Sequence, residues 1–237
     1  MVNNTATNME KFMDKVREYG IEEGLVPFAH DLEILEKLSP EKYKHATSDP
    51  PEIKKDIIKY DFYIDTGIDT GYMKGRRWDL FMALREIIQN ALDAQEAANR
   101  PLGEIEIYTE GNILHIRDYG SGIKLRHFRI GATDKVCWHR GYYGEGMKVS
   151  ALYFLINRIG FYVFTGNKVY KLTLFDDKHM VIIVGISKKV IDGTDVVLYF
   201  NGIAQTELLK KSVDNLNNIT FQQYMKKISK YNPKTII

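Results

Sequence analysis

The 237-residue chain has a single cysteine, Cys137. One thiol excludes an intrachain disulfide framework and a multi-cysteine zinc site, and it suits a reducing compartment. Charge of one sign is also missing: 33 Lys and Arg stand against 31 Asp and Glu, a net charge of +2. That balance gives no electrostatic case for a nucleic-acid coat or a membrane-surface protein. No apolar run approaches the roughly 18 residues needed to span a bilayer. Residues 1–15 are polar and then charged, without the apolar core of a secretory signal. The expectation is a cytoplasmic protein with no membrane contact. Proline is sparse, at 6 residues, and no repeat or low-complexity tract is present.

What remains is ordinary globular material, 44% hydrophobic and 27% charged. The length suits one domain with extensions or two small ones. Residues 1–75 read as an accessory, partly helical region, with helices over 8–19 and 32–38, a break at Asp49-Pro50-Pro51, and a loop over 64–75. A central unit spans 76–204, and a Lys-rich, partly helical tail spans 205–237. Within the central unit, Leu80, Leu84, Ile87, Ile88 and Ala91 recur at helical spacing and predict a helix over 78–99. A hairpin follows over 104–109 and 113–117, then a Gly-, His- and Arg-rich loop region over 118–146. An apolar helix is predicted over 147–157, then strands over 161–165, 169–175, 180–186 and 194–200. Helix, hairpin, loop, helix and a strand meander make an α+β pattern, not a doubly wound parallel sheet.

Four local features carry chemistry. Glu86, Asn90 and Asp93 fall at i, i+4 and i+7, on the helix face opposite the apolar stripe. Alone they describe a solvated polar face; they also suit a carboxylate that activates water beside a neutral oxygen ligand for a hard cation. Asp118 continues the parity of Leu114 and Ile116 and should point inward, followed by Gly120 and Gly122. A buried carboxylate needs donors, and the exocyclic amine of a purine is one candidate; an Asx-type turn closing a strand is the simpler alternative. Gly141, Gly144 and Gly146 feed the start of an apolar helix with Lys148 just inside it. Such a loop is either an anion site or a flexible helix cap. It fails as a Walker A loop, because Met147 precedes the lysine and Val149 occupies the Ser/Thr position, and it fails as a dinucleotide fingerprint. Finally, Thr194 shares the parity of Val196, Leu198 and Phe200, so its hydroxyl should face the interior.

In this order the four features resemble the motifs of the GHKL superfamily, ATPases built on the Bergerat fold. Its members include the gyrase B subunit, the ninety-kilodalton heat-shock chaperone, histidine kinases, MutL-type mismatch-repair proteins and MORC-type ATPases. The likeness covers residues 78–200. It implies a two-layer sandwich, a mixed and mostly antiparallel sheet covered on one face by helices, with ATP and Mg²⁺ bound between them. By position, Glu86 would be the general base and Asn90 would hold Mg²⁺. Asp118 would accept from the adenine amine, supported by Thr194 directly or through water. Gly120 and Gly122 would shape the adenine side, while Gly141, Gly144 and Gly146 would line the phosphates. Asp93 would orient the pocket wall, and Lys135 or Lys148 would neutralise the γ-phosphate or stand as surface lysines.

The chain departs from the larger members. Its lid, 131–144, is short, and the 37 residues after Phe200 leave no room for the transducer domain of gyrase- or MutL-type proteins. The expected activity is slow Mg-dependent ATP hydrolysis (ATP and water to ADP and phosphate) in a nucleotide-gated conformational or dimerisation switch. A homodimer, or a partner chain supplying the transducer function, would complete it. The alternative is a nucleotide-binding interaction module or adaptor without turnover. Nucleic acid is not indicated as a partner.

Overall fold

A computed structural model describes residues 49–128 and 145–217; of Phe62, Tyr63 and Arg126 only the backbone is described. The sequence-predicted helices over 8–19 and 32–38, the lid, and the end of the tail lie outside the described residues.

The fold is α+β, an antiparallel five-stranded sheet packed against helices. Helix α1 (Pro51–Lys54) opens with proline at its first position, where the missing N–H costs nothing. Strand β1 (Ile57–Asp69) follows, then a short 3₁₀ turn over Thr70–Met73. Helix α2 (Leu80–Ala97) is capped by Asp79, whose carboxylate accepts from Met82 N–H at 2.8 Å. It stops at Asn99, in the left-handed region at φ 54°, two residues before Pro101. The hairpin β2 (Glu106–Glu110) and β3 (Ile113–Asp118) turns through Gly111. Helix α3 (Gly146–Ile156), strands β4 (Gly160–Phe175) and β5 (His179–Tyr199), and helix α4 (Ile203–Asn217) complete the chain.

Strand β5 organises the sheet. Strand β4 pairs along its whole length on one side. The other side is shared, β1 pairing with 179–187 and β3 with 194–199, and β2 lies beyond β3. The four strands predicted between 161 and 200 are therefore two long ones. Their registers slip at Gly166, opposite an excursion of β5 between Ile186 and Ile191, and a bulge of this kind bends a sheet.

Strand parity assigns the two faces. Phe161, Val163, Val196 and Leu198 join Leu84, Ile87, Ile88 and Leu152 in the large core beneath the helices. The alternate residues Tyr162, Phe164 and Val197 meet Ile53, Ile57 and Ile113 in a smaller cluster on the opposite face. There Asp49 is clasped by Lys171 Nζ at 2.8 Å, Tyr162 OH at 3.0 Å and Tyr60 OH at 2.9 Å. Asp49, Tyr162 and Lys171 border an open cavity of about 510 Å³ on the β4 side of the molecule.

The expected loop over 64–75 is corrected: the sheet strand β1 continues to Asp69. The turn chemistry read there is real but local. Asp65 accepts from Gly67 N–H at 2.8 Å, and Gly67 has φ +72°, which places an Asx turn inside a β-bulge. Pairing with β5 carries the strand through it. Among the described residues no helix is long and apolar enough to cross a membrane.

Candidate functional site

The site lies where α2, the start of α3, the end of β3 and the stretch of β5 around Thr194 meet. At one end is Asp118, the last residue of β3, which pairs with Thr194 on β5. It is 5% exposed and, as its parity predicted, follows Leu114 and Ile116 into the helix side of the sheet. Its carboxylate accepts from Gly120 N–H at 2.8 Å. Burial pushes its pKa up to about 6, although hydrogen bonds from Gly120 N–H and from the backbone and hydroxyl of Thr194 pull the other way. An ionised carboxylate offers about four acceptor positions, so these three donors leave capacity for one more.

The glycines around Asp118 are fixed by close packing. A methyl group at Gly120 would lie 2.7 Å from the Ala94 carbonyl oxygen of α2. One at Gly122, where φ is +80°, would lie 2.5 Å from Thr165 Oγ1. Gly193, with φ +82°, packs directly on the Asp118 carbonyl. Two residues not singled out from sequence hold this end together. Gln95, wholly buried, accepts from Tyr119 N–H at 2.9 Å and donates to the Pro101 carbonyl at 3.0 Å. Thr165 accepts from Ile123 N–H at 3.3 Å and donates to the Gly193 carbonyl at 2.8 Å. Both bridge segments distant in sequence, which no local pattern signals.

At the other end, Glu86 meets Gly146. A side chain at Gly146 would collide with Glu86 Oε2, so only glycine lets the first residue of α3 approach this carboxylate. The second oxygen, Oε1, is ion-paired with Arg85, whose Nε lies 3.0 Å away. One oxygen of the expected general base is thus ion-paired, and the other lies against Gly146. Asn90 is half-buried one turn further on and Asp93 is buried, each with polar contacts of its own. The polar face of α2 is therefore not simply solvated. Along it, Glu86 and Ala94 stand about 12 Å apart at 1.5 Å per residue.

Lys148, in the first turn of α3, is 1% exposed, so it is no surface lysine. Burial lowers its pKa to about 8, against the raising effect of Glu145. Glu145 precedes the helix without capping it, and its Oε2 accepts from Tyr72 OH at 2.7 Å. Lys135, Gly141 and Gly144 lie outside the described residues.

The structure therefore brings Glu86 and Gly146 together at the α2–α3 contact, with Lys148 two residues along α3, and gathers Asp118, Gly120, Gly122 and Thr194 around the end of β3. Among the described residues no three His, Cys, Asp or Glu side chains converge as a metal cluster. A lone neutral oxygen such as Asn90 suits a hard cation only where phosphate oxygens supply other ligands.

No family model matches the chain. A protein of Mycoplasma pneumoniae, described as uncharacterized, is 31% identical over 133 residues, which are 51% of this chain and 54% of that protein. The chain thus spans about half the length of this relative.

Proposed function

We propose that the protein binds ATP in the manner of the GHKL ATPases and hydrolyses it slowly, as a nucleotide-gated switch in the cytoplasm. The observation that supports this reading is Asp118, a buried carboxylate whose acceptor capacity exceeds its three donors. A buried group with a displaced pKa is a candidate binding or catalytic residue. An adenine amine would use that remaining position, and Thr194 would hold the carboxylate in place.

From there the nucleotide would run along α2 toward Glu86. Asn90 would hold Mg²⁺, which would supply positive charge to offset that of the phosphates. Lys148, whose pKa of about 8 leaves it largely protonated at neutral pH, would add a second cation. Glu86 would take the proton of the attacking water once Arg85 releases Oε1. Gly146 would present backbone N–H to the phosphates, joined by Gly141, Gly144 and Lys135 from the lid. A second copy, or a partner chain, would complete the switch.

Glu86→Ala separates hydrolysis from binding. The expected result is ATP affinity within about twofold of wild type and a turnover loss of at least a hundredfold, the usual range for a general base. Unchanged turnover with intact binding would favour the non-hydrolysing module. Loss of binding would argue against Glu86 as the base.

A further inference from the structure

We infer that Tyr72 and Arg76 are positioning residues that hold the Glu145 carboxylate away from the phosphate end of the pocket. Glu145 is the residue before Gly146, against which Glu86 Oε2 packs. A second carboxylate turned the same way would crowd Glu86 and repel a polyphosphate. It would also have a reason to turn inward, because a carboxylate before a helix is favoured by the free N–H groups and the dipole of the first turn. Yet the Glu145 side chain makes no capping hydrogen bond, although its carbonyl accepts from Val149 N–H at 3.0 Å and so begins the helix.

Its carboxylate goes to the 3₁₀ turn after β1. Tyr72 OH donates to Oε2 at 2.7 Å, and Arg76 Nη2 stands 3.9 Å from the same oxygen. Arg76 also lies over the Tyr72 ring, 4.2 Å from its centroid, so the two side chains brace each other. Partial burial, the hydrogen bond to Glu145 and that carboxylate's charge together hold the Tyr72 phenol above its ordinary pKa, so it stays a donor. These contacts span 73 residues of sequence. They give a short turn, otherwise remote from the expected motifs, a stake in the charge of the site.

The inference rests on the nucleotide reading, and three probes keep the two apart: ATP with Mg²⁺, tripolyphosphate and adenosine. Each is titrated against wild type, against Tyr72→Phe with Arg76→Gln, and against that pair with Glu145→Gln added. Thermal unfolding checks that each variant is folded, and Tyr72→Phe alone replaces the pair if the pair is not. The released carboxylate should weaken ATP and tripolyphosphate about fivefold, the ratio that 1 kcal/mol of charge–dipole interaction produces, and leave adenosine unchanged. Glu145→Gln should restore both anions. A loss that persists with Glu145→Gln, or that adenosine shares, would mean a merely structural contact and overturn the inference. If only tripolyphosphate binds and follows this pattern, the clamp stands and the nucleotide reading falls. If adenosine binds and tripolyphosphate does not bind wild type, the clamp falls and the adenine end stands. If none binds, both fall.

Discussion

Asp118 and Lys148 are buried titratable groups whose pKa values are displaced toward each other, and each gives the protein a stability signature. The Asp118 pKa is raised from 3.8 to about 6, so between those values the folded state holds more protons than the unfolded one. Stability therefore falls as pH rises through that window, and the full cost is present above pH 6. Two pKa units correspond to about 3 kcal/mol. Asp118→Asn, which keeps an acceptor oxygen for Gly120 N–H, should thus stabilise the free protein at pH 8 by up to about 3 kcal/mol while abolishing ATP binding; urea unfolding and calorimetric titration read the two effects. Lys148 is the opposite case. Its pKa is lowered from 10.5 to about 8, so the unfolded state holds more protons between those values. Stability rises with pH across that window and the cost is complete below pH 8. Lys148→Met should raise the melting temperature at pH 7 by about 2–4 °C, the shift that 1 kcal/mol produces at this size. A fall would show that the Lys148 contacts outweigh its desolvation.

The elements explain why some of this was legible and some was not. Helix α2 and the β2–β3 hairpin have strong periodicity and clear stops, and sequence places them within two residues of their observed ends. Parity alone turned Asp118 and Thr194 inward, because a strand admits only two faces. Strand β1 was hidden because its Asp-Thr-Gly steps are turn formers, and only pairing with β5 overrides them. The bend at Gly166 made one strand look like two. Arg85, Gln95, Thr165 and Tyr72 act through partners visible only once the chain has folded or a rotamer is set. At this scale Gly193→Ala is a sharp test. A side chain there meets the Asp118 carbonyl and adopts φ +82° at once, so unfolding should become easier by about 1–3 kcal/mol. Gly111→Ala, at φ +61° with open space around it, should cost less, because only the backbone term remains.

For the molecule as a whole, the sheet has two unequal faces and the candidate site uses one. The other face is pinned by the clasp on Asp49, whose side chain is 4% exposed and whose partner Lys171 is 8% exposed. Removing one member strands a buried charge, so Lys171→Met should destabilise by about 3–5 kcal/mol. Asp49→Asn together with Lys171→Met should recover part of that loss, since it removes the stranded charge. Because this clasp lies across the sheet from Glu86 and Asp118, the doubly substituted protein should keep its ATP affinity while its melting temperature falls. The central claim is that Asp118 is the nucleotide-recognising carboxylate of a GHKL-type pocket. Its most direct test is thermal unfolding with and without ATP and Mg²⁺, for wild type and Asp118→Ala. A ligand at 100 times its dissociation constant adds about 2.7 kcal/mol, a shift of several degrees at this size. The account predicts that shift in wild type and its loss in the variant; no shift in folded wild-type protein at millimolar ATP, or an equal shift in both proteins, would contradict it.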